Sequence, residues 1–190
     1  MAPFWCRKTG NVLIMEYFNE LKRSMTYLSK HSDTIFLGQS VTYTGTSMFN
    51  TLVDVPFEKR IEMPVCEDLQ MGITNGLALS GKIPISIYPR WNFLLLATNQ
   101  LVNHLDKITE ISDYKVKVII RTSIGSIRPL HPQHQHVGDY TDTFKNMLTN
   151  VELIRLDEPD QIFSSYKKAL ERDDGKSTLL IEYGDYYNEK

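Results

Sequence analysis

Only two cysteines are present, Cys6 and Cys66, and they are too far apart for a redox or metal-ligating spacing. That excludes a disulfide framework and a zinc ribbon, and the plain expectation is a reduced, cytoplasmic chain. No apolar run approaches the ~18 residues needed to span a bilayer, and the first residues carry no signal-peptide core. An excess of one charge is missing too. Lys and Arg number 21 against 23 Asp and Glu, a formal −2, which gives no electrostatic ground for binding nucleic acid or an anionic membrane. Internal repeats and low-complexity linkers are lacking. So is a glycine-rich phosphate turn after the first candidate strand, which argues against a dinucleotide-binding domain.

What is there is a chain of 190 residues, 42% hydrophobic and 23% charged, suited to one domain with a full core. Residues 1–14 read as an irregular leader and 15–190 as the domain. Tyr17, Phe18, Leu21, Met25 and Leu28 recur at helical spacing between Glu16 and His31. Ile35 to Leu37 is a short buried strand ending at Gly38, and 42–59 reads as loop with one short helix. The stretch from Met63 to Phe93 holds Glu67 before a small-residue helix (Met71 to Leu79), a stop at Gly81, a strand around Ile85 and Ile87, and an aromatic rim. A second helix is expected over Leu94 to His104, and a strand over Val116 to Ile120 closed by Arg121. A long connection, 123–140, is rich in Gly, Pro and His, as functional loops often are. Thr141 to Leu148 is helical, Val151 to Leu156 a strand, Asp160 to Arg172 an amphipathic helix entered at Pro159, and Thr178 to Glu182 the last strand. This alternation predicts an α/β fold: a doubly wound, mainly parallel sheet with helices on both faces. Ligands of such sheets sit beyond the carboxyl ends of the strands. Glu67, Phe93 and the 122–138 loop each follow a candidate strand and are expected to meet at one edge.

Taken alone, Glu67 reads as a helix cap or a partner of the first-turn dipole. It stands in a longer pattern, however: Pro64, Glu67, Gly72, Gly76, Gly81, Pro84, Asn92 and Phe93, in that order and without a gap. These eight positions resemble the pyrimidine-binding domain of thiamine-diphosphate enzymes, most closely the beta subunit of 2-oxo-acid dehydrogenases and the matching domain of transketolase-like proteins. The resemblance implies that Glu67 hydrogen-bonds the pyrimidine ring of thiamine diphosphate and drives the tautomer change that activates the cofactor. It implies that Phe93 stacks on the aminopyrimidine and that Asn92 joins the cofactor site. The competing reading of Phe93 is a core aromatic. Tyr88 and Trp91 are packing residues first, and Asp68 is expected to point away from the site.

The loop GSIRPLHPQHQH matches the family in part. Arg128, Pro132 and His134 fit one version of its motif, and Gln133 with His134 another. By resemblance His134 is a catalytic residue on the substrate side, with Arg128, Gln133 and His136 lining the substrate pocket. The chain departs from the pattern at Leu130, His131, Gln135 and His136, and again at Gln39 and Ser40, where acidic residues are common. His131, His134 and His136 lie close in sequence, but their spacing fits no standard zinc set, and no metal ligands are assigned.

The family holds the diphosphate and its Mg2+ or Ca2+ on a separate domain with a Gly-Asp-Gly motif. Here Gly-Asp occurs only at Gly138-Asp139 and Gly184-Asp185, each followed by tyrosine. The resemblance therefore implies a second subunit supplying that domain, in a heterodimer or heterotetramer with the active site between chains. The implied activity is decarboxylation, carboligation or ketol transfer on a small 2-oxo acid or ketose-like donor. A non-catalytic scaffold or regulatory subunit retaining the fold is the alternative.

Overall fold

The computed structural model of the chain describes residues 10–44, 46–125 and 131–187, apart from the side chains of 10–13 and 15. Helix α1 (Gly10–Ser29) starts inside the stretch expected to be an irregular leader, so the helical pattern reaches further back than its apolar spacing suggested. It leads into strand β1 (Thr34–Gly38), then a short helix α2 (Ser47–Asn50), a 3-10 turn (Phe57–Lys59) and strand β2 (Arg60–Glu62). Helix α3 (Glu67–Leu79) and strand β3 (Ile83–Ile87) follow. Gly81 sits between them at φ +87, its N–H on the Ala78 carbonyl and that of Lys82 on Leu77. That pair of bonds is a Schellman stop, and a left-handed residue is what it needs.

From Trp91 to Ile111 the chain is helical but irregular. Helix α4 (Trp91–Leu94) passes through a 3-10 turn, a π turn (Gln100–His104) and a second 3-10 turn before α5 (Ile108–Ile111). The Asn75 side chain of α3 donates to the Gln100 carbonyl at 3.1 Å, pairing a backbone group at the head of the π turn. Strand β4 (Ile119–Ile124), helix α6 (Thr141–Met147), strand β5 (Val151–Arg155), helix α7 (Pro159–Glu171) and strand β6 (Ser177–Tyr183) complete the order.

The six strands among the described residues are all parallel, in the order β2-β1-β3-β4-β6-β5. The sheet is doubly wound, as the alternation of elements implied. Successive side chains on a strand face opposite ways, so each inner strand feeds two cores. Phe36, Ile85, Ile119 and Leu180 pack with α1 (Tyr17, Leu21, Met25) and α7 (Ile162, Tyr166). Ile120, Leu179 and Ile181 pack on the other face with Met71 of α3, the 91–111 stretch (Trp91, Leu94, Leu101) and Phe144 of α6.

The expected strand at Val116–Ile120 begins and ends later, at Ile119 and Ile124. Val116 and Val118 are buried just ahead of the strand, and the Val118 carbonyl accepts the Thr178 N–H of β6 at 2.9 Å. Arg121, read as the strand's end, lies in its middle with no exposed surface because Glu182 of β6 meets it at 2.6 Å. No helix among the described residues is long and apolar enough to cross a membrane.

Candidate active site at the carboxyl ends of β1 and β3

Glu67 opens α3 and is 4% exposed. Its carboxylate is not spent on capping: Oε1 accepts a hydrogen bond from Gln39 Nε2 at 3.0 Å. Gln39 is the first residue past β1, so the acid faces the carboxyl end of the sheet. Tyr88, the first residue past β3, reaches the Glu67 backbone carbonyl with its hydroxyl at 3.5 Å. Burial pushes the Tyr88 phenol up, opposed by a hydrogen bond with Ser86 and reinforced by the charges of Glu67 and Asp68, so it stays neutral at physiological pH. Asp68 is exposed, as expected.

α3 is seated on β3 by a small polar cluster. Gln70 Nε2 donates to Ser86 Oγ (3.2 Å) and the Ile87 carbonyl (3.0 Å), and Thr74 Oγ1 lies 2.9 Å from Ser86 Oγ. These buried contacts hold the first turn of the helix, and Glu67 with it, against the strand end. Gly38 closes β1 for a steric reason: a Cβ there would lie 2.5 Å from the Ile87 carbonyl oxygen.

Phe93 does not end a strand. It lies in α4, half-buried, and its ring stacks on the His136 imidazole with centroids 4.9 Å apart and planes 25° apart. The strand around Ile85 and Ile87 is expected to close on an aromatic rim that includes Phe93, but it ends at Ile87 and the chain turns helical at Trp91. Trp91 itself is fully buried against Phe144 at 4.8 Å and Tyr140 at 6.4 Å. Asn92 donates from Nδ2 to the Tyr140 hydroxyl at 3.2 Å, while its Oδ1 and His136 Nδ1 are buried without a hydrogen-bond partner.

The predicted residues thus form two groups. Glu67 pairs with Gln39, and Asn92 and Phe93 pair with the far part of the histidine loop. Gln133 and His134 are exposed, as is His131, whose Nδ1 accepts the Gln133 N–H at 2.8 Å. Gln133 and His136 hold left-handed backbone, φ +55 and +59. Arg128 lies outside the described residues. No cluster of three or more His, Cys, Asp or Glu among the described residues is disposed to hold a metal. Gln39 is the residue that sequence reasoning set aside. In sequence it stands only as a departure from the family pattern, and the fold brings it into contact with Glu67 across 28 positions. The signal available was its place just after the first strand's glycine.

This is an α/β chain with a buried carboxylate at the carboxyl end of a parallel sheet, and comparison with known proteins shows which proteins it resembles. In sequence it is similar to the pyruvate dehydrogenase E1 component subunit beta of Gracilaria tenuistipitata var. liui, 23% identical over 180 residues, covering 91% of this chain and 54% of that protein. It is similar also to the chloroplastic subunit beta-2 of Arabidopsis thaliana, 24% identical over 188 residues, covering 96% of this chain and 45% of that one. The chain spans about half the length of these curated relatives. No protein-family profile matches it. Among solved structures, it superposes on a split-gene transketolase described as an inactive beta4 tetramer with a TM-score of 0.66 at 16% identity, over 87% of this chain and 50% of that one. A transketolase from Campylobacter jejuni gives 0.68 at 14% identity, over 87% and 25%. The chain resembles the pyrimidine-binding domain of thiamine-diphosphate enzymes in sequence and shares its doubly wound fold.

Proposed function

We propose that this chain is the pyrimidine-binding subunit of a thiamine-diphosphate enzyme completed by a second subunit. The observation that carries the reading is Glu67: a carboxylate 4% exposed, at the carboxyl end of a parallel sheet, held by an amide rather than by a cation. The residues suit an aminopyrimidine. An acid oriented through one oxygen can meet a ring nitrogen with the other, and the half-buried Phe93 ring is a surface for stacking. Beside it, Asn92 Oδ1 and His136 Nδ1 are polar atoms in want of a partner. When bound, the cofactor supplies a stabilised carbanion at its thiazolium ring. In this reading Glu67 holds and moves the proton at the ring nitrogen, Phe93 and Asn92 orient the ring, and His134 serves the substrate side with Arg128, Gln133 and His136.

The diphosphate and its Mg2+ or Ca2+ are assigned to the partner subunit, in a cytoplasmic heterodimer or heterotetramer. Supporting this, Leu69 and Ile73 are exposed one turn apart on the helix that begins with Glu67, Val65 is exposed just before it, and Leu96 is exposed on the 3-10 turn that packs against it. The reaction proposed is decarboxylation with aldehyde release, carboligation or ketol transfer from a 2-oxo acid or ketose-like donor. A non-catalytic subunit is the second reading, favoured by the His136 ring that lies on Phe93 where a cofactor ring would stack.

Two measurements decide between them. The chain co-purified with its partner should release carbon dioxide from a 2-oxo acid, or transfer a ketol unit, only with thiamine diphosphate, and Glu67→Gln should abolish this without altering assembly. His136→Ala should tighten cofactor binding severalfold if the imidazole merely covers a working site. A complex that neither binds thiamine diphosphate nor gains binding in His136→Ala is a scaffold.

A further inference from the structure

Glu67 is the end of a chain of contacts that starts two strands away. Glu62, the last residue of β2, turns its carboxylate onto the bend that follows β1. Its Oε1 accepts the Ser40 N–H at 2.5 Å, and its Oε2 accepts the N–H groups of Val41 (2.9 Å) and Thr42 (3.0 Å) and the Thr42 hydroxyl (3.1 Å). The Met63 N–H reaches the Gly38 carbonyl at 2.9 Å and closes the base of the same bend. Ser40 has φ +56, a conformation that a side-chain-bearing residue keeps only where its surroundings over-determine it. Four donors on one carboxylate do that here. The bend in turn aims Gln39, whose amide nitrogen lies 3.0 Å from Glu67 Oε1.

We propose that Gln39, held by the Glu62 clamp, is a positioning residue for Glu67: it engages Oε1 as an acceptor and presents Oε2 as the oxygen that exchanges a proton with the ring nitrogen of an aminopyrimidine ligand. The inference rests on the functional reading above. A carboxyl with two equivalent free oxygens rotates and shares its proton between them; one bonded through Oε1 offers a single oxygen in a fixed direction. Small misplacements of a proton-transferring group are costly in rate, which is why a neutral donor with no role of its own in the reaction matters.

The isosteric Gln39→Glu is the discriminating variant, because it keeps the shape and replaces the donor by an acceptor. In the complex with the diphosphate-binding partner, it is expected to lower kcat about 10²-fold at neutral pH. Thiamine diphosphate affinity by calorimetry should change less than about threefold, since cofactor binding does not depend on which oxygen carries the proton. Activity should return as pH falls, because the introduced carboxyl, once protonated, donates as the amide does. Among the described residues, the other titratable groups near Glu67 include exposed Cys66 and Asp68 at the start of α3, Tyr88 past β3, and Glu62 behind the bend. Gln39→Leu should lose a similar factor and show no recovery in acid, and Glu62→Gln, which loosens the bend, should reproduce part of the loss. Equal kcat in Gln39→Glu and the unaltered complex, or a loss that acid does not reverse, overturns the positioning role and leaves the functional reading intact. Failure of the unaltered complex to turn over with thiamine diphosphate overturns both.

Discussion

At the scale of single residues, the fold is unusual for a full charge pair in its interior that the proposed chemistry does not use. Arg121 and Glu182 have no exposed surface. Arg121 Nε and Nη2 meet the two Glu182 oxygens at 2.6 and 3.0 Å, and Thr51 accepts from Nη2 at 3.2 Å. The hydroxyls of Tyr166 and Tyr187 also donate to the carboxylate, the latter at 2.5 Å. Burial pushes both phenols up, and the Glu182 charge adds to it, so they remain donors at any working pH. Desolvation works against the guanidinium, but the Glu182 charge outweighs it and keeps Arg121 ionised. Removing one partner strands the other in a dry core. Arg121→Met should therefore cost about 3–5 kcal/mol of unfolding free energy, and Arg121→Met with Glu182→Leu should recover most of it, both read by denaturant titration.

At the scale of elements, short polar pieces hold the site in place. Strand β2 has three residues, none fully buried, and its value lies in bringing Glu62 to the bend past β1. Burial pushes the Glu62 carboxyl up, but the N–H groups of Thr42, Ser40 and Val41 and the Thr42 hydroxyl outweigh it and hold it below its ordinary value. A carboxyl depressed by folding stabilises above its unfolded pKa, near 4.3, and that contribution is lost as pH falls through the lower folded value. The Tm difference between the unaltered chain and Glu62→Gln should be constant near pH 7 and close as pH is lowered from about 5. A gap that stayed constant in acid would mean that the clamp is not made by the ionised group.

At the scale of the whole molecule, two cores flank one sheet, and the strands between them are sealed on both faces. Neighbouring parallel strands hold β3, β4 and β6 on both edges, whereas among the described residues β2 and β5 each lack one strand neighbour. Native-state hydrogen exchange should find the amides of Ile85, Ile120 and Leu180 slowest, opening only with global unfolding. Those of β2 and of 131–140 should exchange through local openings. Proposed site residues fall on this gradient. Glu67 is tied to the slow part through Gln70 and Ser86, while His134 sits on the fast part, as suits the substrate-side role proposed for it.

The alternation of apolar strands with amphipathic helices was enough, read along the chain, to establish the doubly wound sheet, because burial on both faces leaves continuous runs such as Ile119-Ile120 and Leu179 to Ile181. The Glu67 pattern was legible for the same local reason: small residues, a glycine stop and an acid at a helix start are neighbours in sequence. Strand β2 was missed because an edge strand that buries little needs no apolar run. The stacking of His136 on Phe93, the pairing of Arg121 with Glu182 inside the sheet, and above all the Gln39 amide against Glu67 joined residues 43, 61 and 28 positions apart. Spacing within a segment reports which way a side chain faces. What it meets there depends on which strands lie side by side, and that is known only once the chain has folded.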